Sequence, residues 1–317
     1  MKRIALLDDY QNVALESADW SHLRGQTHIE VFNDHIADAD ELVAALDGFE
    51  IVIAMRERTP FPRSTLERLN SLKLLITTGP RNAAIDAQAC ADLNITYCGT
   101  GGEVQSTAEL TWALILGCAR HLPAEIDNVN NGGWMTTVGT DLYGSTLGMC
   151  GLGRIGAMVA EVGNAFGMEL IAWSQNLTQE RCDQFGAELV TKDELFARSD
   201  FLTVHLVLSD RTRALIAEPE LRSMKPTAWV INTSRGPICD EDALALACEE
   251  GWIAGAGLDA YGVEPLAAGH PFRRLDNVLA TPHIGYVSER VYKIFFTEIV
   301  EDITAYLAGS PVRVIEG

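Results

Sequence analysis

Leu147–Asn176 reads LGMCGLGRIGAMVAEVGNAFGMELIAWSQN, in the order strand, glycine turn, helix, strand. The apolar run Leu147–Cys150 is a short strand, and Gly151, Gly153 and Gly156 form a G-x-G-x-x-G turn. Ile155–Phe166 carries apolar residues at helical spacing, Gly167 is a C-terminal stop, and Glu169–Trp173 is the second strand. The first glycine permits a tight turn, and the second lets the backbone approach a pyrophosphate. The third lets the helix lie close on the sheet, with the anion at the helix N-terminus. The pattern alone is weak; its place between two strands and at the head of a helix gives it meaning. A dinucleotide is therefore expected at Gly151, Gly153, Arg154, Ile155, Gly156, Ser174 and Gln175. One feature departs from the fingerprint. An acidic residue is expected about 20 residues after the glycines to hold the ribose hydroxyls. Ser174, Gln175 and Asn176 stand there instead. NAD thus gains no preference over NADP: no carboxylate repels a 2′-phosphate, and Arg181 is within reach of one.

Working outward, the 317 residues suffice for two domains. A formal charge of −20 argues against nucleic acid or an anionic membrane as the main partner. The seven cysteines (90, 98, 118, 150, 182, 239, 248) show no C-x-x-C spacing and lie mostly in apolar stretches. Scattered thiols in an odd number suit a reducing cytoplasm. The opening apolar run, Ile4–Leu7, is too short for a signal peptide and fits a first strand. No apolar run approaches membrane-spanning length.

Residues 1–100 alternate strands and helices. Strands are expected at Ile4–Leu7, Ile29–Phe32, Ile51–Ala54, Leu74–Thr77 and Ile95–Cys98, and helices at Asp38–Leu46, Pro62–Leu69 and Asp86–Leu93. Such alternation implies a parallel sheet with ligands beyond the carboxyl ends of its strands. Arg56 and Arg58 follow one strand, and Gly79, Pro80, Arg81 and Asn82 follow another. They read either as solvated loops or as a carboxylate cradle of N–H groups and arginine. Ser106 or Thr107 is expected to cap a long apolar helix, Ala108–Ala119, at the start of a second domain. The segment from Gly132 to Gly144 is polar and glycine-rich, and reads as an arm or loop. After the fingerprint come strands Ala187–Val190, Phe201–Leu206, Trp229–Asn232, Ala256–Leu258 and Val278–Ala280. The helices there are Lys192–Ala197, Pro219–Ser223, Glu241–Glu250 and a long one, Glu289–Leu307, leading to a terminal VRVIEG that returns to the first domain.

Three strand ends in the second half carry reactive groups: Arg235 after Trp229–Asn232, Asp259 and Glu264 after Ala256–Leu258, and His283 after Val278–Ala280. Parallel strands end on one edge, so these groups share an edge with the glycine turn. Each has a bland reading, a surface pair of Arg235 with Asp240 or Glu241 among them. Together they are coherent. An arginine binds a carboxylate through two bonds and polarises a carbonyl, a histidine passes the hydroxyl proton, and a glutamate holds the histidine.

GLGRIG (151–156), INTSRG (231–236), AGAGLDAYGVEP (254–265) and ATPHIG (280–285), in this order and spacing, resemble the D-isomer-specific 2-hydroxyacid dehydrogenase family over essentially the whole chain. The resemblance implies that Arg235, Glu264 and His283 are catalytic, and that Asp259 holds the nicotinamide carboxamide. It places Thr107 at a cofactor-contacting position, and through VHLVLSDRTRALI (204–216) it adds His205 and Thr212; Thr233, in INTSRG, belongs with them. It gives the carboxylate-holding role to TTGPRNAAID (77–86), hence to Gly79, Pro80 and Arg81 with Arg56, although Pro80 and Arg81 stand where glycine is usual. Val207 replaces a common proline.

The implied fold class is α/β, with two doubly wound parallel-sheet domains, a Rossmann nucleotide-binding domain (104–289) inserted into a flavodoxin-like catalytic domain (1–103 and 290–317). The 120–145 segment is the implied arm of a homodimer, and no metal is called for. The activity implied is NAD(P)-dependent interconversion of a small 2-ketoacid and a D-2-hydroxyacid. A dinucleotide-sensing corepressor or a phosphite-type dehydrogenase are the alternatives; Glu264 disfavours a formate enzyme, where glutamine is usual. No regulatory domain follows residue 317, which leans the expectation slightly towards an unphosphorylated substrate, with Arg56, Arg58 and Arg81 as residues that could still bind a phosphate.

Overall fold

The computed structural model describes all 317 residues and divides them into two units, residues 1–103 with 287–317, and residues 104–286. In the first unit, β1 (Lys2–Leu6), β2 (Thr27–Val31), β3 (Ile51–Ala54), β4 (Leu74–Thr77) and β5 (Thr96–Gly99) form one parallel sheet in the order β2-β1-β3-β4-β5. β3 and β4 are buried at every position, because helices cover both faces of a parallel sheet. Those helices are α1 (Ala39–Ala45), α2 (Arg63–Leu66) and α3 (Ala87–Asp92). Asp38 caps α1 by accepting from the Asp40 and Glu41 amides, and Asp86 caps α3 by accepting from the Ala89 amide.

The second unit opens with α4 (Gln105–Ala119) and α5 (Leu122–Asn130). Here the structure corrects the sequence reading twice. α4 starts three residues before Ala108, and Ser106 and Thr107 lie inside its first turn while Val104 occupies the cap position. α5 falls within the stretch read as part of an arm, and it buries none of its residues. Then follow β6 (Thr146–Cys150), α6 (Arg154–Ala165), β7 (Glu169–Trp173), α7 (Gln179–Asp183), β8 (Glu188–Leu189), α8 (Lys192–Arg198) and β9 (Phe201–Val204). α9 (Glu218–Ser223), β10 (Trp229–Asn232), α10 (Glu241–Glu249), β11 (Gly255–Leu258) and β12 (Val278–Ala280) complete it. The seven strands are all parallel, in the order β12-β11-β10-β9-β6-β7-β8. Counted from β6, that is the doubly wound nucleotide-binding order with one strand added, and its reversal lies between β6 and β9. α7, which the pattern reading passed over, is one short turn capped by Thr178.

The chain then returns to the first unit as α11 (Glu289–Leu307), capped by Ser288. Phe295, Phe296, Ile299 and Ile303 of α11 are buried. The terminal segment runs antiparallel beside β5: the Gly99 amide donates to the Arg313 carbonyl (3.2 Å) and the Ile315 amide to the Tyr97 carbonyl (2.8 Å). Arg313 anchors it by donating to Asp302 (2.9 Å) and Glu301 (2.9 Å). No helix is long and apolar enough to cross a membrane, and all seven cysteines are free and buried.

Candidate active site

The glycine turn closes the end of β6. Gly151 has φ +104°, a conformation L side chains rarely adopt, and its amide donates to the Trp173 carbonyl at the end of β7 (2.9 Å). A Cβ on Gly156 would stand 2.3 Å from the Gly151 carbonyl oxygen, so the third glycine is fixed by close approach. A Cβ on Gly153 would meet nothing within 4 Å. Gly153 is also the N-cap of α6 and has no side chain to cap it, so the first-turn amides of Arg154 and Ile155 are left to an outside acceptor. Tight turn, open middle and uncapped helix fit a dinucleotide pyrophosphate.

Across the strand-order reversal, His205 follows β9, and a Cβ on Gly151 would lie 2.8 Å from its carbonyl oxygen. Its Nε2 is shielded from solvent with no hydrogen-bond partner, although the residue as a whole is only part-buried. Burial pushes the His205 pKa down to about 4, so the ring is neutral at pH 7. Two other residues expected at the cofactor have partners within the protein. The Thr212 hydroxyl donates to the Val207 carbonyl (2.8 Å) and shapes its own loop, and the buried Thr233 hydroxyl pairs with that of Thr111 on α4 (2.8 Å). Ser174 and Gln175 begin the turn after β7, where the Leu177 amide donates to the Ser174 carbonyl (3.1 Å).

Past β10, β11 and β12, which are successive neighbours in the sheet, lie the groups expected to handle the proton. His283 Nδ1 is 2.6 Å from Glu264 Oε2, and Glu264 Oε1 accepts from the Tyr261 amide (2.9 Å). The Glu264 carboxylate is thus held at both oxygens, and the histidine proton on Nδ1 is assigned from its acceptor partner. His283 takes a positive φ of 53°, uncommon for a residue with a side chain, and its ring meets Tyr286 edge-on at 5.7 Å. Asp259, fully buried, holds the loop that carries His283. Its carboxylate accepts from the Thr281 hydroxyl (2.6 Å) and from the amides of Ile284 and Gly285 (both 2.8 Å). Burial raises the Asp259 pKa, against the pull of those bonds. Three donors take up three of its four lone-pair sites. The Thr107 hydroxyl closes the set by donating to the Gly285 carbonyl (3.0 Å).

Arg235 leaves β10 in extended conformation, and its guanidinium donates to the Ser234 carbonyl (2.8 Å). Asp240 and Glu241, its suggested surface partners, are engaged elsewhere: Asp240 caps α10, and Glu241 accepts from the Gly262 amide (2.7 Å). Asn232 was not singled out from the sequence. Its side chain donates to the Arg235 carbonyl (3.0 Å) and accepts from the Ser234 amide (3.0 Å), which sets the Arg235 loop. An Asn ending a strand before a polar turn is the signal that would have found it.

In the first unit the cradle expectation needs correction. Pro80 has no N–H, and the Gly79 amide already donates to the Thr100 hydroxyl (2.7 Å). The Arg56 guanidinium lies against Gly79 and donates to the Thr78 carbonyl (3.1 Å), while Arg81 is exposed. Unforeseen beside it is a buried polar cluster at the β1–β3 reversal. Asp8, 1% exposed, accepts from the Thr59 hydroxyl (2.6 Å) and lies 2.9 Å from His35 Nδ1. Arg58 stacks over Tyr10 at 4.6 Å.

Comparison with known proteins agrees with this architecture. The model of the family described as D-isomer specific 2-hydroxyacid dehydrogenase, NAD binding domain, matches residues 112–285. The chain is 40% identical to a glyoxylate reductase of Aeropyrum pernix over 71% of its own length and 70% of the relative's. It is 37% identical to a D-3-phosphoglycerate dehydrogenase of Synechocystis over 82% of its length, spanning about half (48%) of that longer protein. The crystal structure of a phosphoglycerate oxidoreductase from Vibrio cholerae superposes with a TM-score of 0.93 at 34% identity, covering 98% of this chain and 100% of the other. With a dinucleotide turn at the strand-order reversal and these relatives along its length, the chain belongs to the D-isomer specific 2-hydroxyacid dehydrogenase family and is an NAD(P)-dependent dehydrogenase.

Proposed function

We propose that the protein reduces a small 2-ketoacid to its D-2-hydroxyacid. The observation that supports this most directly is the 2.6 Å pairing of His283 with Glu264 at the carboxyl edge of the nucleotide-binding sheet. When bound, the reduced nicotinamide supplies a hydride to the keto carbon. Arg235 binds the substrate carboxylate and polarises the carbonyl. His283 gives its Nε2 proton to the carbonyl oxygen as that oxygen becomes the hydroxyl. Glu264 keeps the Nδ1 proton pointed at itself, which fixes the tautomer and orientation of the ring. The balance is one hydride and one proton added to a carbonyl, with the dinucleotide left oxidised. Asp259 serves twice, bracing the His283 loop and offering its remaining lone pair to the carboxamide. Arg56 and Arg81 in the first unit are assigned to substrate anions through their charge, since the amides of residues 79 and 80 cannot serve.

The test is cofactor oxidation with glyoxylate, hydroxypyruvate and pyruvate, and the same assay on His283→Ala. Turnover should fall about 10²–10⁴-fold, the usual weight of a general acid. Retained turnover, or no oxidation with any ketoacid, overturns the reading.

We also infer that the protein is a homodimer formed through residues 122–143. Trp134, Met135, Val138 and Tyr143 are 73–92% exposed, and Leu122, Ile126 and Val129 on α5 add to the same stretch. So much apolar surface on a strongly acidic chain fits burial against a second copy.

A further inference from the structure

We propose that the turn after β7, together with Arg181 of α7, is a binding site for the 2′-phosphate of an adenosine ribose, so that this protein works with NADP(H). The proposal rests on the dinucleotide-binding reading of the glycine turn and adds the phosphorylation state of its ligand.

In the doubly wound fold the ribose lies at the end of the second strand. A carboxylate there accepts from its hydroxyls, and an arginine nearby accommodates a 2′-phosphate. That strand is β7. Its end is joined to the fingerprint by the bond from the Gly151 amide to the Trp173 carbonyl, so the next residues flank the pyrophosphate turn directly. Those residues are Ser174, Gln175 and Asn176, which bring a hydroxyl and two amides and no charge. Gln175 and Asn176 are exposed, and their donors face water. A phosphate monoester carrying about −1.5 to −2 charges would meet a carboxylate at high cost here, and none is present in this turn.

The positive charge comes from Arg181. Its Nε donates to the Leu152 carbonyl (3.1 Å), inside the fingerprint itself. The guanidinium plane lies on Phe185, 4.5 Å from the ring centroid. Anchored at Nε and stacked on one face, the group keeps a fixed orientation and turns its outer nitrogens away from the anchor. Nη2 reaches only a long contact to the Gly153 carbonyl (3.5 Å), and Nη1 bonds the exposed Gln184 amide oxygen (2.8 Å), which water can replace. The outer edge is therefore the part of the fork available to two phosphate oxygens. Asp183, the acidic residue next along α7, is bonded to Gln179 (2.7 Å). The arrangement is one arginine tied to the pyrophosphate turn, which the end of β7 also flanks without the carboxylate an unphosphorylated ribose calls for.

The experiment titrates the full-length protein with ADP-ribose and with 2′-phospho-ADP-ribose, by calorimetry and by the emission of part-buried Trp173. Binding of the phosphorylated ligand is expected to be roughly 10- to 100-fold tighter, with the advantage shrinking as salt is raised. Arg181→Gln should remove that advantage and leave ADP-ribose binding within about threefold, whereas Arg181→Lys should keep part of it, as charge without a fork. Ser174→Asp should weaken only the phosphorylated ligand. Equal affinity of the wild type for both ligands overturns the 2′-phosphate site while leaving the dinucleotide reading intact. Equal weakening of both by Arg181→Gln overturns it too, since Arg181 would then only brace the turn. If neither ligand binds, both readings fall.

Discussion

Replacing Glu264 by Gln isolates the charge of one carboxylate with almost no change of shape. In the wild type Oε2 faces His283 Nδ1 at 2.6 Å and Oε1 accepts from the Tyr261 amide at 2.9 Å. A glutamine keeps its oxygen on the Tyr261 amide, because the alternative points two donors at each other. Its NH2 group then faces Nδ1. The ring must give up the Nδ1 proton to accept that bond, and it loses the charged hydrogen-bond partner that held it. The two side chains are 18% and 24% exposed, so solvent replaces little of the loss. A hydrogen bond to a charged group contributes about 1.5–3 kcal/mol, which corresponds to a fall in kcat of roughly 10- to 150-fold. KM for the ketoacid should stay within about threefold, since Arg235 is untouched. The equilibrium constant of the reaction belongs to substrate and product, so kcat/KM must fall by one factor in both directions at a given pH. Steady-state assays in the two directions, with a melting curve to show an intact fold, read all of this. A Glu264→Gln enzyme within twofold of wild type, or one defective only in KM, would refute the proton-handling role of the pair.

Gly153→Ala should fold normally, because its Cβ meets no protein atom within 4 Å, yet lose dinucleotide affinity by about tenfold or more as the methyl fills the pyrophosphate's approach; normal ADP-ribose titration would contradict the site. Asp302 on α11 has no exposed surface, and its Oδ2 has no partner; burial raises its pKa from the ordinary 3.8 to about 7 despite Arg313 beside it. The folded state therefore holds a proton that the unfolded chain has released, so this stabilising contribution is complete below about pH 4 and is lost as pH rises through 7. Asp302→Asn should gain in Tm relative to wild type between pH 5 and pH 8, by an increment on the order of a few degrees; a pH-independent difference would rule this out. Trp134→Asp with Met135→Asp should halve the mass seen by light scattering, and an unchanged mass would remove the arm from the dimer.

How much could be read in advance followed from how much each element depends on its own pattern. β3, β4, β7, β10, β12 and α11 begin and end where the sequence placed them, since each is an apolar run closed by turn residues or a strong cap such as Ser288. α5 escaped notice because a helix that buries nothing leaves no apolar stripe to find in its own unit. α4 begins early because Thr107 in its first turn is held from outside the helix by its bond to the Gly285 carbonyl, which local propensity does not register. At the site, the glycine turn was legible because backbone geometry demands those residues. The occupied Gly79 amide was not, since its partner Thr100 lies 21 residues further on. Nor was the grip of Arg181 on Leu152, 29 residues earlier, or the part played by Asn232.

The terminal strand-like segment beside β5 has a consequence for how the molecule is made. Its partner strand is finished before the second unit begins, whereas α11 and residues 313–315 are made only after that unit. The first unit must wait, its sheet uncovered where Phe296 and Ile299 belong, while the contiguous 104–286 stretch is already able to form. Synthesis thus runs from the inside out, and a stop codon just before Glu289 should spare the nucleotide-binding half and leave the amino-terminal half to aggregation or proteolysis.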